Sequence, residues 1–326
     1  MTLTNIKRFT MCKNRYTLDK MKKLLSSGYF LISIAAIGIS FKSILVKTAY
    51  TYSVDPITLA VMRVVISLPF FIIALFIIEG KAAFTFQKKE IINFSLMGTF
   101  GLALPIIFSF YSLKYIDASV SSLLVYTYPA ITVLMMTFFE KEKLTSSKII
   151  SIILTFCGLL FVIKIHESNL TGIDKRGIWF AFLAAFFYAV YNVLAEKNVK
   201  KVSPIKVITY CMIFVSILFV IFFGYRTYPS NWQVWLIAFL LGFICGFIPF
   251  VAYLYGVKII GASKSTIVSS LGPAFTVTWA YIFLNERLDI FQILGMVLII
   301  TGILAIKLKK LPLPEFVTKK YLKQND

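Results

Sequence analysis

The stretch SLLVYTYPAITVLMMTFF, residues 122–139, is almost wholly apolar, yet Pro129 lies in its middle. A helix needs about 20 apolar residues to cross the hydrocarbon core of a bilayer, and this stretch approaches that length. A proline inside a helix removes a backbone hydrogen bond and bends or breaks the helix. A second stretch, IVSSLGPAFTVTWAYIF at residues 267–283, repeats the arrangement around Pro273. The chain therefore contains two long apolar segments that a proline interrupts at matching positions.

Both stretches belong to an internal repeat. Residues 111–160 align with residues 255–304 without a gap. The matched positions include Tyr111 and Tyr255, Lys114 and Lys258, Pro129 and Pro273, Glu142 and Glu286, and Gly158 and Gly302. Because these matches include proline, glutamate, lysine and tyrosine, shared apolar composition does not explain them. The chain is predicted to consist of two related halves.

The composition indicates a membrane protein. Hydrophobic residues make up 59% of the chain and charged residues 15%, whereas a soluble domain has about half and a quarter. Ten apolar segments are predicted to span the bilayer. They are Tyr29–Ala49, Ile57–Ile78, Ile91–Leu113, Ala118–Phe139, Ile149–Ile165, Ile178–Ala195, Ile205–Phe223, Val234–Val257, Ser265–Leu284 and Ile290–Ile306.

Five spans in each half place the second half in the membrane in the opposite orientation. We therefore expect an all-α integral membrane protein with ten transmembrane helices in two inverted five-helix repeats, an arrangement typical of secondary transporters. The expected units are a basic tail (1–28), the first repeat (29–165), an external linker (166–177), the second repeat (178–306) and a second basic tail (307–326).

The net charge of +20 is explained by membrane topology. With the N-terminus inside, most Lys and Arg residues fall on the cytoplasmic side, which is the positive-inside rule. Few fall outside: Lys47, Lys114, Lys164, Lys175, Arg176, Arg226 and Arg287. The distribution predicts that both termini are cytoplasmic in a cell (inner) membrane. It favours anionic lipid as a partner and gives no reason to expect nucleic acid.

The sequence contains no pattern that predicts catalysis. The chain has one His and four Cys, without metal-ligand spacing. We expect no metal, no cofactor and no catalytic residues, so the protein is not predicted to be an enzyme. Glu142 and Glu286 end their spans on opposite sides of the membrane, too far apart for paired acid–base chemistry. They are interpreted as interfacial anchors or gate partners.

Three segments and two glycines resemble the drug/metabolite transporter superfamily, specifically the EamA type with ten spans and two EamA repeats. LAVMRVVISLPFF at residues 59–71 places Arg63 early in the second span. Residues 118–145 and 262–289 each begin with Ala-Ser and end with the Glu-x-Leu pattern, and Gly158 and Gly302 fit the glycine of each closing span. The resemblance implies movement of small metabolites, often amino acids or other organic solutes, usually outward. The second half has no arginine at the position of Arg63, so a symmetric ligand is not implied.

Two cations inside predicted spans are the first candidates for the substrate pathway. Lys42 lies near the middle of the first span, where a cation costs about 3 kcal/mol or more unless it is paired or hydrated. It faces water, binds a ligand carboxylate, or reaches the interface along its helix. Arg63 could hold a substrate anion with two hydrogen bonds, or could bind carbonyls of a broken neighbouring helix.

Neutral polar residues complete the predicted pathway. They are Tyr126, Tyr128, Tyr188, Tyr191, Asn192, Ser269 and Ser270. Each alone is more often an interhelical hydrogen-bonding group than a ligand contact. Four prolines at matching positions, Pro105 with Pro249 and Pro129 with Pro273, are predicted to bend helices around one central cavity.

These features predict a secondary transporter of a small organic metabolite, an amino acid or a related anionic or zwitterionic solute. We expect it to export its substrate by alternating access. The chain has no nucleotide-binding motif, so a proton gradient or solute exchange would supply the driving force. The alternatives are drug or xenobiotic efflux, metabolite uptake, a membrane-embedded enzyme, and a membrane scaffold that transports nothing.

Overall fold

The structure is a computed structural model that describes residues 27–85, 87–139, 145–162, 174–269 and 271–305. All secondary structure in these ranges is helical. The two predicted tails lie almost wholly outside the described residues, as do Ser270 and most of the predicted linker at 166–177.

Ten helical segments correspond one to one to the ten predicted spans, and the predicted all-α membrane fold is confirmed. They are α1 (Gly28–Tyr50), α2 (Pro56–Glu79), α3 (Lys88–Tyr115), α4 (Ala118–Phe139), α5 (Ser146–Val162), α6 (Lys175–Val199), α7 (Pro204–Phe223), α8 (Trp232–Ile260), α9 (Ala262–Ser269 and Gly272–Leu284) and α10 (Ile290–Ala305). Among the described residues, seven of these are each long and apolar enough to cross a membrane. The other three, α5, α9 and α10, contain shorter apolar helices.

Several helices extend past their predicted apolar ends. The largest such difference is in α6, which runs to Val199 beyond the predicted end at Ala195 and so includes Glu196. A helix continues into the interface because its backbone hydrogen bonds do not depend on apolar side chains. Polar caps fix where two helices begin. The Asp55 carboxylate accepts from the Ile57 amide at the start of α2, and Asp174 accepts from the Arg176 amide at the start of α6.

The helices pack in pairs that relate the two halves. In the repeat, α1 corresponds to α6, and α3 corresponds to α8. Helix α1 packs on α8, and in the same way α6 packs on α3. The remaining mates pack on each other: α2 on α7, α4 on α9, and α5 on α10. Each pairing therefore joins one half to the other, as expected for repeats related by a two-fold axis in the membrane plane.

Helices α5 and α10 approach closely through glycines. A Cβ on Gly158 would lie 2.5 Å from the Gly295 carbonyl oxygen, and a Cβ on Gly302 would lie 2.9 Å from the Leu154 Cβ. Small residues at such positions let membrane helices make tight van der Waals contact, so these repeat-equivalent glycines hold the α5–α10 pair together.

Matching helices are interrupted in the same way. Helix α4 breaks at Tyr126 and Thr127, just before Pro129, and α9 breaks at the matching place before Pro273. Helices α3 and α8 each contain a π-helical segment, at Met97–Ala103 and Phe243–Phe247. Pro105 and Pro249 follow these segments. Such wide turns often occur at functional sites.

Helix α1 contains an interruption that the sequence does not signal. A turn at Phe41 separates Gly28–Ser40 from Lys42–Tyr50, although the segment has no proline there. Side chains of α9 contact the backbone and side chain at this turn: Thr276 donates to the Ser40 carbonyl and Trp279 donates to the Ser40 hydroxyl. The predicted first span, Tyr29–Ala49, is confirmed, and the turn within it places Lys42 at the start of a new helical segment.

Candidate functional site

A central cavity lies where the interrupted helices meet. Seven helices line it, namely α1, α2, α3, α4, α6, α8 and α9. The volume open to the centres of water molecules is about 60 Å³. One water needs about 10–15 Å³ of such volume, so the cavity has room for about four to six waters, or for one small organic solute.

The structure brings most of the predicted pathway residues to this cavity. The predicted residues in its lining are Lys42, Arg63, Tyr126, Tyr128, Tyr188, Tyr191, Asn192 and Ser269. Ser270 lies outside the described residues. Pro105, Pro129, Pro249 and Pro273 are not in the lining, and each lies next to an interruption that shapes it.

Lys42 is buried, with 7% of its surface exposed. Its ammonium donates to the Ser109 Oγ of α3 over 2.6 Å. On the next residue of α1, Ser43 forms a hydrogen bond with Ser122 of α4 over 2.9 Å. No Asp or Glu occurs among the described residues that line the cavity, so the structure offers Lys42 no acid there.

Arg63 is the second buried cation, with 4% of its surface exposed. One terminal nitrogen donates to the Cys245 carbonyl oxygen in the π-helical segment of α8, over 3.4 Å. The guanidinium carbon lies 5.8 Å from the centre of the Phe110 ring. Arg63 therefore contacts a carbonyl of an interrupted helix and also reaches the cavity, so both interpretations of this residue are consistent with its position.

Three tyrosines form one wall of the cavity. The ring centres of Tyr126 and Tyr128 lie 5.8 Å apart, and those of Tyr128 and Tyr188 lie 5.9 Å apart. The Tyr128 hydroxyl forms a short hydrogen bond with Ser269, which joins α4 to α9 beside the two helix breaks. This wall combines aromatic faces with hydroxyl groups, which suits a solute with both apolar and polar parts.

A second group of lining residues is also neutral, and several of its members are paired with each other. The Asn192 side-chain amide donates to the Tyr188 carbonyl over 2.7 Å, and its oxygen accepts from the Tyr253 hydroxyl. The Tyr191 ring lies edge-on to Phe250, with centres 6.2 Å apart. The Tyr191 hydroxyl is buried and has no hydrogen-bond partner among the described residues.

Sequence reasoning missed several lining residues, including Ser43, Ser109, Ser122, Tyr253 and Thr276. The repeat held a signal for two of them. Ser109 and Tyr253 occupy matching positions, each one helical turn after the matching prolines Pro105 and Pro249. Residues one turn from a paired helix distortion lie on the same side of the helix as the distortion, so they are candidates for the cavity.

The two ends of the α4–α9 pair are held differently. Glu286 follows α9 and accepts from the Ala118 amide (2.9 Å), the Ser119 amide (3.0 Å) and the Ser119 hydroxyl (2.6 Å) at the start of α4. We call this contact the Glu286 clamp. At the other end the Ala262 amide, which opens α9, donates to Glu196 over 2.8 Å. The repeat mate Glu142 lies outside the described residues.

A helical membrane bundle of two inverted repeats around a polar central cavity is the architecture of transporters. The family model of EamA-like transporters matches residues 26–164 and 175–308. These two matches cover most of the chain, and the protein belongs to the EamA-like transporter family, as the sequence motifs implied.

Curated relatives and a solved structure agree with this assignment. The uncharacterized transporter YcbK of Bacillus subtilis (strain 168) is 25% identical, over 89% of this chain and 96% of its own. An uncharacterized transporter of Archaeoglobus fulgidus is 25% identical, over 81% of this chain and 94% of its own. A crystal structure is similar with a TM-score of 0.67 and 20% identity, covering 87% of this chain and 99% of its own, and supports the fold alone.

Proposed function

We propose that this membrane transporter moves a small organic solute with an anionic or zwitterionic group by alternating access. The central cavity is the substrate site. One observation carries the proposal: Lys42 and Arg63 are both buried in a cavity whose described lining contains no acid. A buried cation near the middle of a membrane costs about 3 kcal/mol or more unless a partner or water compensates it. A substrate anion would supply that partner during each transport cycle.

Alternating access is supported by how the two halves are joined. The most extensive packed pairs join one half to the other around the cavity, the arrangement in which two repeats can rock against each other. The Glu286 clamp joins the halves at one end of the cavity. We propose that it closes this end and must release during the cycle. Solute exchange or a proton gradient would drive the cycle.

We place the protein in the cytoplasmic membrane with both termini inside, because most basic residues fall on one side of the predicted topology. Export is the proposed direction, and it rests on the family resemblance. Under this topology the Glu286 clamp lies at the external end of the cavity.

The first test is an untargeted comparison of metabolites in the medium and inside cells that express wild type or Lys42→Ala at equal membrane levels. We expect a solute that accumulates outside only with wild type. Lys47→Ala is the matched control, because Lys47 lies on the same helix and outside the cavity lining. It should behave as wild type.

Other outcomes of this comparison are equally informative. A solute that accumulates inside the cells with wild type would establish uptake and contradict export. If Lys42→Ala exported the same solute at the wild-type rate, Lys42 would not lie on the substrate pathway.

A further inference from the structure

We propose that the cavity selects organic anions without a cationic amine: a carboxylate, or a similar acid group, on a small neutral body. Zwitterionic amino acids are then poor substrates. This inference rests on the proposed transport function and narrows its substrate class. It follows from how the charges, hydrogen-bond donors and neutral groups are placed in the cavity.

The cations retain donors for a ligand. An ammonium has three N–H donors and a guanidinium has five. Among the described residues, Lys42 has one hydrogen-bond partner, Ser109, and Arg63 has one, the Cys245 carbonyl. Neither side chain can accept a hydrogen bond. Their remaining N–H groups would therefore donate to a ligand, and a negatively charged acceptor forms the strongest such bonds. An acid group fits this part of the cavity.

An amine would find no acid in the same cavity. The described lining contains neither Asp nor Glu. The buried carboxylate of Glu196 lies one turn after Asn192 on α6, but both of its oxygens are engaged. One binds the Lys200 ammonium over 2.8 Å, and the other accepts from the Ala262 amide over 2.8 Å. Because this carboxylate is already paired with a cation and lies outside the described lining, it offers a substrate ammonium no partner in the cavity.

The positive charges of Lys42 and Arg63 would also repel an amine. Repulsion between like charges is strong in a buried site of low dielectric, and it excludes unsuitable ligands as effectively as new contacts attract suitable ones. The tyrosine wall could attract a cation through its ring faces. That attraction falls off faster with distance than the repulsion from two full charges, so the balance favours anions.

The rest of the cavity suits a neutral substrate body. Asn192 is paired with Tyr253 and with the Tyr188 carbonyl, and Tyr128 is paired with Ser269. These groups need no charged partner from the substrate. With the Phe250 ring beside them, they present aromatic and hydroxyl surfaces that accept an aliphatic or hydroxylated chain.

The test uses pairs of solutes that differ only in one group. Lactate and alanine share a carbon skeleton, but lactate carries a hydroxyl where alanine carries an ammonium. The pair 2-hydroxyisovalerate and valine differs in the same way. The purified protein is placed in liposomes loaded with one unlabelled solute, and exchange for the labelled solute outside is measured. We expect each hydroxy acid to exchange about tenfold or more faster than its amino acid, because a like-charge contact strongly disfavours binding.

The outcomes separate this inference from the function on which it rests. If an amino acid exchanged as fast as its hydroxy acid, or faster, the inference would be overturned and the transport function would stand. If none of the four solutes exchanged, the inference would be overturned, while the transport function would still be decided by the metabolite comparison with Lys42→Ala.

Charge variants make the test specific to the cavity. Lys42→Gln should lose about tenfold in hydroxy-acid exchange, and its preference for the hydroxy acid should shrink. Lys42→Arg keeps the charge and should keep the preference, which controls for folding. Lys47→Gln changes the charge outside the cavity lining and should match wild type. An unchanged preference in Lys42→Gln would contradict the assignment of selectivity to this cation.

Discussion

Gly272 lies against the ring of Tyr126, where a larger residue fits only if the ring moves. A Cβ at this position would lie 1.9 Å from the Tyr126 hydroxyl oxygen and 2.4 Å from the ring carbon that bears it. Gly272 begins the second part of α9, and Tyr126 lies at the break in α4. This contact lies where the two interrupted helices meet beside the cavity, and the absence of a side chain at Gly272 permits their close approach.

We predict that Gly272→Ala destabilises the protein by about 1–3 kcal/mol, as overpacking of a tight core does. It should also slow transport, because the Tyr126 ring must move from its place in the cavity wall. Thermal unfolding in detergent and liposome exchange measure the two effects.

A double variant is the control for this prediction. Gly272→Ala combined with Tyr126→Ala should melt no lower than Tyr126→Ala alone, since removing the ring removes the clash. A wild-type melting temperature for Gly272→Ala would contradict the contact.

The interrupted helices expose backbone carbonyls inside the membrane, and side chains of other helices bind some of them. Arg63 donates to the Cys245 carbonyl in α8, and Thr276 donates to the Ser40 carbonyl in α1. Free carbonyls at this depth are tolerated only inside protein or beside water. Each helix break leaves polar backbone groups inside the membrane, and the polar cavity gives these groups partners. The helix breaks therefore depend on the cavity.

We predict that Pro129→Ala slows transport while the protein still reaches the membrane at the wild-type level. Proline has no amide hydrogen to offer the Val125 carbonyl, whereas an alanine amide at this position can close that bond and continue α4. A continuous α4 would be more stable as a helix, by up to about 3 kcal/mol, but would lose the bend beside the cavity.

Pro69→Ala is the matched control, because Pro69 lies inside α2, which the structure shows without a break, and it is exposed at the surface of the bundle. Liposome exchange measures both variants. Equal rates for Pro129→Ala and wild type would show that the break in α4 is not needed for transport.

Alternating access requires contacts between the two repeats that form and break during the transport cycle. The Glu286 clamp is such a contact, because a carboxylate of one half accepts three hydrogen bonds from the start of a helix in the other. A negative charge is also favoured at a helix N-terminus. The clamp therefore stabilises the state in which this end of the cavity is closed.

We predict that Glu286→Gln opens this end more often. A hydrogen bond to a charged group contributes about 1.5–3 kcal/mol, so its loss should raise the open population roughly tenfold. Ser122→Cys in a cysteine-free background places a thiol in the cavity lining. A membrane-impermeant thiol reagent added outside should label it faster in the Glu286→Gln variant.

Arg287→Gln is the control for the clamp, since it changes a charge on the neighbouring, exposed residue. It should leave the labelling rate unchanged. Slower labelling with Glu286→Gln than with wild type would contradict the closing role of the clamp.

Much of this organisation could be predicted from the sequence. The bilayer demands long apolar helices, so the apolar runs along the chain indicated ten spans, and the repeat indicated two halves. Lys42 and Arg63 were identifiable because a cation inside an apolar span needs a compensating environment. Pro129 and Pro273 were identifiable because proline cannot continue a regular helix.

The tertiary structure decided how these parts meet. The sequence does not signal the pairing of Lys42 with Ser109, of Arg63 with the Cys245 carbonyl, or the turn at Phe41. Each depends on the rotation and depth of a helix, which packing against neighbouring helices sets. The sequence by itself therefore determined which residues lie in the membrane, and only the packing of the helices decided which of them share the cavity.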